Sequence, residues 1–236
     1  MRHSEAVPIG SPRRNEFHTF IIATIPCLDR LRILVLETNT IPDKLLISMR
    51  KLKLQIQLSL DGFAAGPNGE GDWVLLAGKQ DPAALQFTID LADSCDTILL
   101  GRKGVPGFVP YWENIVDNQP DSPWYPVAQR MVTMRKIAFS RTETDIPGRN
   151  LEVENGDLAT VVQTLKVQPG KDLLVYGGVD FVSSLIDLNL IDEYYLIINP
   201  VAIGSGLSIF KERKVLALQS ITSYTNGKVL HKYVPV

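Results

Sequence analysis

The feature that most constrains this chain is the alternation of strand and helix patterns that begins at residue 51 and continues to residue 201. "LKLQIQLSL" (52–60) alternates apolar and polar residues at the two-residue period of a strand. "DPAALQFTIDLADSC" (81–95) follows, with Asp81 as N-cap and Pro82 at the first helical position. "TILL" (97–100), "KIAFS" (136–140), "DLLVY" (172–176) and "IDEYYLIINPV" (191–201) read as further strands. Helical stretches at 125–134, 157–167 and 181–190 separate them. "AAGPNGEGD" (64–72) reads as a mobile glycine-rich loop, and 109–124 as a connection rich in Pro and Asp. Repeated strand–helix–strand units imply an α/β fold: a mostly parallel sheet flanked by helices on both faces. The last strands form an antiparallel hairpin with an Asn226-Gly227 turn.

Composition narrows the function. A formal charge of −2 leaves no basic footprint for nucleic acid, and no apolar run reaches the ~18 residues of a membrane span. Cys27 and Cys95 make no disulfide framework, so a reducing cytoplasm is expected. Of the three histidines, His3 and His18 lie in the first 20 residues, leaving only His231 in the body. No metal site and no Ser-His-Asp triad is therefore expected. Residues 1–48 are polar and punctuated by Pro and Gly, then apolar but broken by Pro26 and charges. They make a poor secretory signal. They are expected to be a dispensable, poorly ordered extension, with the folded body running from 49 to 236; a short docked helix is the alternative.

Three apolar strands end alike: "TILL-GRKG", "KIAF-SRT" and "LLVY-GGVD". Ligands of open α/β sheets gather beyond the carboxyl ends of strands. Each end supplies a small residue that lets backbone N–H groups approach a ligand, and two supply an arginine, a bidentate fork for anions. One glycine after a strand is usually only a turn. Three such ends in one sheet point to a dinucleotide with several phosphates, the diphosphate touching the backbone at Gly177 and Gly178. Neither G-x-G-x-x-G nor G-K-[ST] occurs, so this is neither a Rossmann fingerprint nor a P-loop.

With "LSLDGFAAGPNGEGDW" and "LLVYGGVDFVSSLIDLNLIDEYYLIINPVAIGSGLSIF", these motifs resemble the dihydrofolate reductase-like superfamily, in the branch containing the reductase domain of riboflavin biosynthesis. The resemblance spans about residues 50–236 and implies an NADPH-dependent reductase, often a homodimer, with a mixed sheet around a cofactor cleft. Gly101, Arg102 and Lys103 match the first cofactor strand end. Ser140, Arg141 and Thr142 match the segment that holds the adenosine 2′-phosphate and ribose. Gly177, Gly178 and Val179 match the turn at the diphosphate and nicotinamide, and the loop 62–73 resembles a lid. The chain departs where dihydrofolate reductases carry an acidic residue on the first helix, since the nearest carboxylate is Asp81 at the cap. Ile197 stands where those reductases place a threonine beside the pterin. Folate itself is thus not the expected substrate.

Two candidate catalytic residues follow. Asp61 in "SLDGF" is either a substrate-binding or proton-handling carboxylate or the turn former of an Asp-Gly pair. Trp73 either walls the substrate pocket or anchors the loop. Tyr176 either faces the nicotinamide or is a buried strand residue, and Cys95 reads as inert. The expected activity is hydride transfer from NADPH to a small pterin- or pyrimidine-like heterocycle. The alternatives are 5-amino-6-(5-phosphoribosylamino)uracil reductase, whose phosphorylated substrate wants basic residues near the lid, and a nucleotide-binding module without catalysis.

Overall fold

A computed structural model describes residues 49–236; the expectations for 1–48 lie outside the described residues. Strands β1 (Leu52–Leu58), β2 (Cys95–Gly101), β3 (Arg135–Phe139), β4 (Leu151–Glu154), β5 (Asp172–Val175), β6 (Glu193–Ile198), β7 (Leu216–Ser223) and β8 (Val229–Pro235) form one sheet. Its order is β4-β3-β2-β5-β1-β6-β8-β7. The first six strands in that order run parallel, and β8 and β7 add antiparallel at one edge. The mostly parallel α/β sheet with a terminal hairpin expected from the pattern is what forms.

The helices are α1 (Pro82–Asp93), α2 (Val105–Asn118), α3 (Tyr125–Thr133), α4 (Leu158–Val167) and α5 (Val179–Asp187). The chain steps outward from β1 through β2 and β3 to β4, then returns through β5 to β6. Right-handed crossovers place helices on opposite faces for opposite steps. Two cores result. Leu91, Val109, Trp112 and Met131 of α1–α3 pack on one face, and Val162, Leu165, Val182 and Leu185 of α4 and α5 pack on the other.

One expectation is corrected. The stretch 109–124 is not a plain connection, because α2 occupies 105–118. Val105, Val109, Trp112 and Ile115 recur at helical spacing and are all buried, which outweighs the proline signal. Pro106 sits in the first turn, where its missing N–H costs nothing, and only Pro110 lies inside the helix. Helix α5 begins at Val179 rather than at 181, directly after the glycine pair, and Asn189 follows its end in the left-handed conformation at φ 56°. The short edge strand β4 carried too little pattern to be read beforehand.

Lys136 shows how the fold disposes of a charge inside a strand. Its side chain is 1 % exposed, and Nζ donates to the carbonyls of Met131, Val132 and Met134 at 2.9 Å each. These carbonyls close the C-terminal end of α3, where a cation is favoured. Burial pushes the amine down to about 8.

Candidate active site

The carboxyl ends of β3, β2, β5 and β1 meet at a cavity of about 820 Å³. Parallel register aligns the three strand ends: Gly101 pairs with Phe139, and Leu99 with Val175, two residues before Gly177. The wall consequently includes Gly101, Arg102, Lys103, Ser140, Arg141, Thr142, Gly177, Gly178 and Val179. All nine residues expected around a dinucleotide come together. A second cavity of about 660 Å³ opens from the β3 end towards the start of α4 and shares Phe139, Ser140, Arg141, Phe181 and Ser184 with the first.

The glycines have separate reasons. Gly178 takes φ +81° as N-cap of α5, a conformation that disfavours side chains. A Cβ on Gly101 would lie 2.7 Å from Cβ of Phe181, so this glycine lets α5 approach β2. Gly104 and Gly177 differ: neither has a positive φ, and a Cβ at either position would meet nothing within 4 Å. Both line the cavity. Nothing in the described protein demands glycine there.

Helix ends supply the polar side of the cleft. Helices α1 and α4 are capped by the carboxylates of Asp81 and Asp157. Helices α2 and α5, which start at the cavity wall, have no side-chain cap. At α2 the Val105 N–H is taken by the Arg102 carbonyl and Pro106 has none. The first N–H groups of α5 lack intrahelical partners, so the α5 end presents donors and partial positive charge to an anion.

Around them, Arg102 lies 3.9 Å from Glu143, and Lys103 lies 3.3 Å from Asp180; all four side chains are solvent-accessible. The Ser140 hydroxyl accepts from the backbone N–H groups of Thr142 and Glu143 at 3.2 and 2.8 Å. Asn155 donates to the carbonyls of Ser140 and Glu143 at 2.9 and 2.8 Å, which fixes the turn bearing Arg141.

The other end of the cavity is neutral. It is lined by Ile56, Gln57, Ala64, Ala65, Tyr176 and Leu207, with Gly69 and Gly71 from the loop. Burial pushes the Tyr176 hydroxyl far above its ordinary range, so it keeps its proton at neutral pH. The loop is tied down at its start: Ala64 N–H donates to the Leu207 carbonyl at 2.9 Å, and Leu207 N–H to the Ala65 carbonyl at 2.8 Å. Gly206 permits that clamp, since a Cβ there would lie 2.2 Å from the Ala65 oxygen.

The two candidate catalytic residues do not reach this wall. Asp61 accepts from the Ser59 hydroxyl at 2.6 Å and from Gly204 N–H at 2.7 Å, knitting the β1 end to the segment after β6. The Ser59 hydrogen bond, with the backbone donors behind it, holds its carboxyl below the usual range. Trp73 is 5 % exposed and donates its indole N–H to the Glu70 carbonyl at 3.2 Å, which anchors the loop from within. Asp81 is buried as the α1 cap and also accepts from Thr225 N–H at 2.8 Å. Cys95 is buried on the remote side, its thiol pushed up to about 11 chiefly by burial. Sequence reasoning missed Gln57 and Leu207. The polar alternation of β1 marked Gln57 as a strand residue but could not say what its face looked upon.

A mostly parallel sheet with flanking helices, a C-terminal antiparallel pair and a cleft at its carboxyl edge defines a dihydrofolate reductase-like fold. Residues 50–231 match the RibD C-terminal domain, and the chain belongs to that family. It is 33% identical over 187 residues to the uncharacterized protein YyaP of Bacillus subtilis (strain 168), covering 78% of this chain and 94% of that one. In structure it is similar to a putative riboflavin biosynthesis protein from Shewanella sp. PV-4, with TM-score 0.60 and 18% identity over 80% of this chain and 99% of the other. Acinetobacter baumannii RibD also has TM-score 0.60 at 16% identity, and the likeness covers 80% of this chain and 59% of RibD. These structural likenesses show the fold. Among the described residues, no helix is long and apolar enough to cross a membrane.

Proposed function

We propose that this chain is an NADPH-dependent reductase of a small, uncharged, pterin- or pyrimidine-like heterocycle. The observation that carries the reading is the pair Gly104 and Gly177: two cavity-lining glycines with ordinary φ and empty space where a Cβ would stand. A dinucleotide diphosphate against the backbone is what would occupy that space. The open N-terminus of α5 would meet its charge, and Arg102 and Arg141 supply cations for the 2′-phosphate. When bound, the reduced nicotinamide supplies a hydride, so few catalytic side chains are required. The loop 62–73 covers the neutral end and limits water there.

The neutral end favours an uncharged substrate over the phosphorylated one of the riboflavin-pathway reductase. Every charged residue in the cavity wall (Arg102, Lys103, Arg141, Asp180) comes from the segments that follow β2, β3 and β5, and none from β1, the loop 62–73 or Leu207. The test is titration of NADPH and NADH into wild type, Arg102→Ala and Arg141→Ala. An arginine on a phosphate contributes about 1.5–3 kcal/mol, so NADPH is expected to bind ~10- to 150-fold tighter than NADH. One or both variants lose that preference while NADH affinity stays as it was. Equal affinities in all three proteins would place the 2′-phosphate elsewhere, and binding of neither cofactor would end the reductase reading.

A further inference from the structure

One polar side chain at the neutral end is held in a single orientation by the fold. Asn199, directly after β6, is fully buried. Its Nδ2 lies 3.1 Å from the Leu58 carbonyl and 3.2 Å from the Ile197 carbonyl. Backbone carbonyls only accept, so this amide cannot be turned round to put its oxygen against them. Nδ2 therefore faces both carbonyls and also the Gln57 side chain, at 2.9 Å from Oε1. Gln57 must accept there, which leaves Nε2 as its outward group. Among the described residues nothing accepts from Gln57 Nε2, and Gln57 lines the cavity. Strand β1 pairs with β5 up to Leu54↔Val175, where β5 ends ahead of the nicotinamide-side turn, and Gln57 and that turn's Gly177 and Gly178 line the same cavity.

Resting on the reductase reading above, we propose that Gln57 is a specificity-determining residue. Its Nε2 donates to a neutral ring carbonyl of the substrate, and Asn199 is the positioning residue that keeps this donor outward. A locked carboxamide beside Ile56, Ala65 and Leu207 selects a lactam edge. It offers nothing to a cationic or phosphorylated group. The nicotinamide carboxamide also carries a carbonyl, so the same chemistry has a second source, and the experiment separates the two.

Wild type, Gln57→Leu and Gln57→Glu are titrated first with NADPH and then, with NADPH saturating, with two matched pairs of probes. The pairs are pterin against 2-aminopteridine, and uracil against pyrimidine; the second member of each lacks the ring carbonyls. A neutral hydrogen bond is worth roughly a 3- to 10-fold preference for the carbonyl member. Wild type is expected to show that preference, Gln57→Leu to erase it, and Gln57→Glu to reverse it by facing a carboxylate oxygen outward. NADPH affinity is expected to be unchanged in both variants. Equal binding within both pairs by wild type, no binding of any probe, or a preference that survives Gln57→Leu overturns the proposal. So does a loss of NADPH affinity with probe binding intact, which assigns the carbonyl to the nicotinamide. Failure of wild type to bind NADPH at all would be the failure of the reductase reading instead.

Discussion

Two adjacent glycines at the β5 end do different work, and single substitutions separate them. Gly178 is required by its backbone, at φ +81°, and alanine there is strained by about 1–2 kcal/mol. Gly177 has ordinary φ and open space around its missing Cβ. Gly177→Ala is therefore expected to leave unfolding stability within about 1 kcal/mol of wild type, and to raise it if the chain entropy of the unfolded state dominates. Its NADPH affinity should fall by at least ~10-fold, because the methyl group stands where the diphosphate approaches the backbone. Denaturant unfolding and cofactor titration on the same preparation check both halves. Wild-type affinity in Gly177→Ala would remove the main support for the cofactor site.

At the level of elements, strand β6 is locked to both neighbours through one buried carboxylate. Glu193 accepts from Lys51 of the β1 approach at 2.8 Å and from the Tyr195 hydroxyl at 2.6 Å, and it lies 3.3 Å from Lys232 on β8. Burial alone would raise its carboxyl, but the Lys51 and Tyr195 hydrogen bonds and the nearby cations outweigh it and hold it at about 2. The unfolded carboxyl, at its ordinary value near ~4.3, takes a proton first. As pH falls from about 4.5 towards 2, the unfolded state gains protons that the folded state refuses, and stability drops. The group contributes on the order of 2–3 kcal/mol above that window. Glu193→Gln is expected to be less stable at pH 7 by a similar amount and to show a flatter acid limb in unfolding midpoints. An acid limb as steep as in wild type would assign the loss to other carboxylates.

For the whole molecule, the uncovered part of the sheet predicts association. Strand β6 does not supply that surface, since Tyr194, Tyr195, Leu196 and Ile197 are at most 9 % exposed. The exposed face belongs to the hairpin. Register puts Ile221 opposite His231, and His231 opposite Leu196, so all three share a face with Tyr233 and with Leu218 opposite it. Leu218 and Ile221 are 49 % and 57 % exposed, beside an open groove of about 430 Å³. Strand β7 has one unpaired edge, and a two-fold partner offering the same face would cover both. We therefore expect a homodimer by sedimentation at micromolar concentration, and monomers from the double variant Leu218→Lys, Ile221→Lys with cofactor binding retained. A wild-type monomer would refute this.

The sequence by itself determined the local grammar. Period-two and period-3.6 patterning, Asp81 as a cap, and glycine or serine at three strand ends are written in neighbouring residues, and the succession of α/β units, apart from α2 and β4, follows from them. Nine of the expected site residues were legible because parallel register brings strand ends of one type to one edge. What neighbouring residues could not decide is which face a side chain meets. Asp61 and Trp73 stood beside the loop in sequence, yet backbone partners at 203–204 and at Glu70 take up their polar atoms. The helix 105–118 was hidden by two prolines until buried contacts with α3 and the sheet outweighed local propensity. Which end of the Gln57 amide is taken up inside the protein is set by Asn199, 142 residues away in the chain, because hydrogen-bond orientation is settled by partners that tertiary structure alone assembles.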